Sequence, residues 1–231
     1  MTIAHTKESL QFAKFFDHTL LKPEATAAQI ETLCLEARQN LFYTVCVNAG
    51  WIPLASSLLK GTDVLPITVV GFPLGATLTR AKALEAEEAI KVGAREIDMV
   101  LNVGWLKSGR ANDCEKDIRD VVKASGQASV KVILETSLLD TEEIALASRL
   151  SEAAGAAFIK TSTGFGSRGA SRDDILTMRS SVSPKMLIKA SGGLRTLDAV
   201  ETMIAAGASR VGSSSSVQIL RDWAQKNGVA L

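Results

Sequence analysis

One joint recurs three times in this chain: Val92-Gly93-Ala94, Ala154-Gly155-Ala156 and Ala206-Gly207-Ala208 each stand between a stretch of helix formers and a short apolar run. Glycine enters the left-handed conformation that closes a helix C-terminus without a Cβ penalty, so each copy predicts a helix handing over to a strand. Strands alternating with helices imply a parallel sheet with right-handed crossovers.

The apolar runs have the matching rhythm. Strands are predicted at 15–20, 43–48, 67–71, 96–101, 130–135, 157–161, 186–190 and 210–213. Between them, segments such as TRAKALEAEEAIKV (79–92) and TEEIALASRLSEAA (141–154) carry apolar residues at three- and four-residue spacing among good helix formers. About eight such units in 231 residues favour a single (β/α)8 barrel of the α/β class spanning 1–231, with a short N-terminal helical extension. An open nucleotide-binding sheet would place a glycine-rich turn after its first strand; here Asp17-His18-Thr19-Leu20-Leu21-Lys22-Pro23 stands there instead.

Composition narrows the function classes. A formal net charge of +1 with 22% charged residues leaves no electrostatic footprint for nucleic acid. No apolar run is long enough to span a bilayer, and the opening MTIAHTKESLQFAKFF lacks the continuous apolar stretch of a secretory signal, so a cytoplasmic protein is expected. Cys34, Cys46 and Cys114 are far apart and odd in number, which fits reduced, buried thiols. His5 and His18 are too few for a typical three-histidine zinc site, so neither a metal nor another cofactor is expected.

In a barrel, chemistry collects at the C-terminal ends of the strands. Asp98 interrupts Glu96-Ile97-Asp98-Met99-Val100-Leu101, Lys160 ends Ala157-Phe158-Ile159-Lys160, and Lys189 ends Met186-Leu187-Ile188-Lys189. A buried charge costs several kcal/mol (roughly) unless paired, so these three either form a structural ion pair or share a site. They suit a Schiff-base site: an amine attacks a carbonyl only when unprotonated, and a second positive charge beside Lys160 would disfavour its protonation. Lys189 can supply that charge and Asp98 can move protons. Glu135, ending the fifth run, could reach the lysine network or cap the next turn. His18 reads as a loop or packing residue and Cys46 as a buried thiol.

Two glycine-serine segments, Ser191-Gly192-Gly193-Leu194-Arg195 and Gly212-Ser213-Ser214-Ser215-Ser216, follow the seventh and eighth strands, where such barrels hold phosphate. With Gly164, the candidate phosphate set is Gly164, Gly192, Gly193, Gly212, Ser213 and Ser214. From these residues alone a Schiff-base aldolase or transaldolase, a phosphosugar isomerase with a carboxylate base, and a non-catalytic phosphate-binding scaffold all stay open.

In combination the segments Asp17-His18-Thr19-Leu20-Leu21-Lys22-Pro23, Glu96-Ile97-Asp98-Met99-Val100, Phe158-Ile159-Lys160-Thr161-Ser162-Thr163-Gly164-Phe165 and Ile188-Lys189-Ala190-Ser191-Gly192-Gly193 resemble the deoxyribose-phosphate aldolases over nearly the whole chain. The resemblance implies a class I aldolase on a (β/α)8 barrel that reversibly cleaves 2-deoxy-D-ribose 5-phosphate to acetaldehyde and D-glyceraldehyde 3-phosphate. It implies Lys160 as Schiff-base lysine, Lys189 as second active-site lysine and Asp98 as proton carrier. Phosphorylated sugars and aldehydes are then the partners, and a homodimer or larger homo-oligomer is open. Phe165 stands where some members carry a lysine, and the one tyrosine is Tyr43, so proton transfer is expected to rely on Asp98, Lys189 and held water rather than on a C-terminal tyrosine.

Overall fold

The computed structural model describes residues 6–229; His5 and the terminal Ala230-Leu231 lie outside the described residues. Eight parallel strands close in sequence order into one barrel. They are β1 (Phe16–Leu20), β2 (Thr44–Val47), β3 (Leu65–Val70), β4 (Glu96–Val100), β5 (Ser129–Ile133), β6 (Phe158–Lys160), β7 (Leu187–Ser191) and β8 (Arg210–Ser213). Outside them run α1 (Lys7–Ala13), α2 (Ala27–Gln39), α3 (Ile52–Leu58), α4 (Thr79–Lys91), α5 (Val103–Lys107), α6 (Ala111–Ala124), α7 (Thr141–Ala153), α8 (Arg172–Ser181), α9 (Leu197–Ala205) and α10 (Ser216–Asn227). The expected (β/α)8 barrel is present, and α1 is its N-terminal extension: Phe12 stacks on Trp223 of α10 with ring centroids 5.0 Å apart.

The repeated joint does what its glycines predict. After α4, Gly93 at φ 121° donates to the Ile90 carbonyl and Ala94 to that of Ala89. Gly155 and Ala156 repeat both bonds after α7, and Gly207 and Ala208 repeat them after α9. Each pair satisfies carbonyls that the helix end leaves open and turns the chain into the next strand.

Side chains alternate across each strand, and the two faces divide the core. Outward residues such as Val45, Val70, Ile97, Val132, Ile159, Ile188 and Val211 join the large apolar layer beneath the helices. The interior is split. Cys46, Ile67 and Val69 make a small apolar cluster with Leu21 on the β2–β3 side. The opposite side, from β4 round to β1, is filled with charged groups.

Most strand bounds shift by a residue or two from the sequence reading, and three of these shifts have a physical cause or consequence. β3 begins at Leu65, taking in Pro66 near its start, where a missing N–H costs the ladder little. β5 ends at Ile133, because Glu135 turns into the left-handed region at φ 54°. β7 runs on to Ser191, so Lys189 lies inside the strand rather than at its end.

Candidate active site

The charged half of the interior converges on Asp98. Its Oδ1 accepts from Lys131 Nζ at 2.8 Å, while its Oδ2 accepts from Lys160 at 2.8 Å and Lys189 at 2.7 Å. Lys189 also pairs with Asp17, whose Oδ1 lies 2.8 Å from Arg210 Nη1. Lys131 reaches Glu96 at 2.5 Å, and Arg210 lies 3.6 Å from the same carboxylate. The guanidinium of Arg210 rests on the Tyr43 ring, 3.8 Å from its centroid.

Four basic side chains therefore meet three acidic ones, and the cluster is neutral only if one amine sheds its proton. The four bases do not share this burden equally. Burial opposes the charge on Lys189, Lys131 and Arg210, but their carboxylates outweigh it and hold all three above their ordinary pKa. Lys160 goes the other way. Burial lowers its pKa, the single contact with Asp98 fails to compensate, and the positive charge of Lys189 lowers it further. Burial likewise opposes ionisation of Asp98, yet Lys131, Lys160 and Lys189 together hold it well below the carboxylate range. Lys160 is the one amine of the cluster prepared to be neutral.

It is also the one with an opening. A cavity of 340 Å³ at the C-terminal ends of the strands is lined by Lys160, by Thr19 to Lys22 at and beyond the end of β1, and by Thr163, Gly164 and Phe165 after β6. Its remaining wall runs from Ser191 to Arg195 and from Gly212 to Ser214, whereas Asp98 and Lys189 are fully buried and do not line it. All six residues of the candidate phosphate set border this space. Gly192 and Gly193 take φ of 85° and 73°, open only to residues that tolerate the left-handed region. The Ser213 hydroxyl donates to the Leu194 carbonyl at 2.7 Å and accepts from the Ser215 amide at 2.9 Å, joining the two segments just ahead of the N-terminus of α10. Helix N-termini favour anions. Lys22 and Arg195 add cationic side chains to the wall.

The family model of the DeoC/LacD aldolases matches residues 12–230. The chain belongs to this aldolase family. A deoxyribose-phosphate aldolase of Clostridium novyi is 53% identical over 215 residues, covering 93% of this chain and 97% of that one. The one of Coprothermobacter proteolyticus is 50% identical over 213 residues, 92% of this chain and 97% of its own. Among solved structures, the tetrameric deoxyribose phosphate aldolase of Aeropyrum pernix superposes with a TM-score of 0.85 at 30% identity, covering 97% of this chain and all (100%) of that one.

In this aldolase the structure brings Lys160, Lys189 and Asp98 together as the sequence reading expected, and adds four residues that reading passed over: Asp17, Glu96, Lys131 and Arg210. Lys131 carried the same signal as Asp98, a charge inside the apolar run Val130-Lys131-Val132-Ile133. Gly212 also makes room for Lys189, since a Cβ there would lie 3.1 Å from the lysine's Cε. Glu135 stays out of the lysine network; it stands at the N-cap of the short 3-10 turn Thr136–Leu138 without a side-chain cap bond, and its carboxylate accepts hydrogen bonds from Thr163 instead. His18 is a packing residue on β1, its Nε2 2.8 Å from Glu36 and its ring against Phe42. Cys46 is fully buried, and burial pushes its thiol up to about 11. No helix among the described residues is long and apolar enough to cross a membrane.

Proposed function

We propose that this aldolase is of class I and reversibly cleaves 2-deoxy-D-ribose 5-phosphate to acetaldehyde and D-glyceraldehyde 3-phosphate, with Lys160 as the Schiff-base lysine. One observation carries the assignment. The only amine of the buried cluster held below its ordinary pKa is also the only one lining the cavity, which the glycine-serine segments border.

The neutral Lys160 amine adds to the aldehyde carbon of the open-chain sugar, and loss of water gives an iminium. Departure of the C3-hydroxyl proton to a base lets the C2–C3 bond break, its electron pair passing to the iminium nitrogen as an enamine. Asp98, ionised and reached through water at the cavity floor, takes that proton and returns it to the enamine carbon. Hydrolysis then frees acetaldehyde and Lys160. Lys189, fixed between Asp17 and Asp98, keeps the resting amine unprotonated and holds the carboxylate in place. At the other end of the cavity Gly164, Gly192, Gly193, Gly212, Ser213 and Ser214 receive the phosphate. The reading includes a cytoplasmic location and a homo-oligomer, the latter supported by the tetrameric Aeropyrum pernix relative.

Borohydride reduction in the presence of acetaldehyde, followed by peptide mass mapping, is expected to place the adduct on Lys160. An adduct on another residue would overturn the assignment. The same reaction is expected to proceed at an unchanged rate with a chelator present, since the iminium is its electron sink.

A further inference from the structure

Glu135 is a buried carboxylate, bonded to the cavity-lining Thr163, that the proposed chemistry leaves unused. Its backbone sits at φ 54°, a conformation that costs a residue with a Cβ and suits glycine, so a non-glycine residue there points to a role for its side chain. The side chain is only 6% exposed and turns away from the lysine cluster toward the loop after β6. Its Oε2 accepts from the Thr163 amide at 3.3 Å and from the Thr163 hydroxyl, and its Oε1 accepts from Ser137 at 3.4 Å. The Thr163 hydroxyl in turn accepts from the Phe165 amide at 3.0 Å, which fixes the turn carrying Gly164 at φ 90°. The loop has been shaped to receive this carboxylate: a Cβ on Gly166 would lie 3.0 Å from Glu135 Oε1.

Neighbouring contacts tie the same two loops together. The Thr136 amide donates to the Thr161 carbonyl at 3.0 Å, and Arg168 Nη2 donates to the Thr136 carbonyl at 3.0 Å. On its far side the loop rests on Gly192, whose carbonyl accepts from Ala170 at 3.2 Å. Thr163, Gly164 and Phe165 form the cavity wall on the side of Gly192 and Gly193, while Lys160 stands on the floor.

We propose that Glu135 is a positioning residue that sets affinity for the phosphate-bearing end of the substrate by holding the Thr163–Phe165 wall, without touching substrate or moving protons. The proposal rests on the aldolase reading for its substrate but not for its geometry.

The test measures kcat and KM with 2-deoxyribose 5-phosphate and with unphosphorylated 2-deoxyribose, and the Kd of inorganic phosphate by calorimetry. Glu135→Gly, which suits the backbone and removes the whole side chain with its carboxylate, is expected to raise KM for the phosphorylated sugar and Kd for phosphate about tenfold, the effect of about one buried hydrogen bond. Its kcat, and kcat/KM for unphosphorylated deoxyribose, should stay within about twofold of wild type. Glu135→Gln, which retains one acceptor oxygen, should recover part of the loss, and Thr163→Val should add little to Glu135→Gly if both act through one contact. Equal losses on both sugars, an unchanged phosphate Kd, or additive effects of the two substitutions would each overturn the proposal. If Glu135→Gly does not fold, Thr163→Val carries the same comparison of sugars and phosphate. Acetaldehyde trapping on the wild type reads the aldolase assignment separately, and the phosphate titration reads Glu135 even where that assignment fails.

Discussion

Lys160 and Lys189 are register partners on adjacent strands, and their side-chain nitrogens converge on the same oxygen of Asp98. Two like charges on one acceptor cannot both be comfortable, and the flanking groups decide between them. Asp17 gives Lys189 a second carboxylate; Lys160 has none. Lys189→Met is therefore expected to raise the pKa of Lys160, because it removes a repelling charge and leaves Asp98 Oδ2 to Lys160 alone. The acid limb of the pH profile for borohydride trapping with acetaldehyde should move to higher pH by about one unit or more, with the rate recovering in alkali. An unmoved limb would show that burial alone sets the amine.

Asp17 supports the site from the floor, so its removal should be felt first as instability. It is fully buried between Lys189 and Arg210. Burial raises its pKa, but these two cations outweigh that and hold it far below the carboxylate range. An aspartate depressed in the folded state adds stability that is complete above its unfolded pKa of about 3.9 and is lost as pH falls toward the folded value. Asp17→Asn is expected to cost about 3–5 kcal/mol at neutral pH, the usual result of stranding a buried cation. Denaturant melts from pH 7 down to pH 3 should also show a flatter acid dependence than wild type. Equal stability at pH 7 would mean that Arg210 and Lys189 find other partners.

The fold was legible because its signals are local. A glycine at a helix end and an apolar run of strand length each act over a few residues, and the repeated Gly-Ala joint displayed both three times. Lys160 was legible for a similar reason, since it closes β6. The lower layer of the cluster was not. Lys131 and Arg210 lie in the middle or at the start of their strands, and only closure of the barrel brings β8 beside β1 so that Arg210 meets Asp17. Glu135 was hidden differently: its role depends on a left-handed backbone and on the path of a neighbouring loop, neither of which its own segment announces.

Gly212 offers a test of whether the phosphate segments and the amine cluster are separable. An added Cβ would stand 3.1 Å from Lys189 Cε and 3.2 Å from Ser191 Cβ, tight enough to displace the lysine by a few tenths of an ångström. Gly212→Ala is expected to lower kcat about tenfold, as small misplacements of catalytic groups do. The Kd of inorganic phosphate should rise by less than kcat falls, since the other five residues of the phosphate set are untouched. Weakened phosphate binding with kcat preserved would instead make Gly212 chiefly a phosphate contact.

Lys160 should carry a stability penalty of its own. A lysine whose folded pKa lies below its unfolded value binds fewer protons when folded, so the folded state loses ground as pH falls below the unfolded pKa of about 10.4. The cluster has one cation in excess, and Asp98 keeps both Lys131 and Lys189 when Lys160 is gone. Lys160→Met retains most of the apolar stem without the amine. It is expected to abolish turnover and to stabilise the fold by about 1 kcal/mol near neutral pH, a common gain when a functional group is removed. Thermal melts should show a rise of about 2–4 °C for a chain of this size. The gain should shrink toward pH 10, where the unfolded lysine also begins to lose its proton. A lower melting temperature at pH 7 would place Lys160 among the structural ion pairs instead.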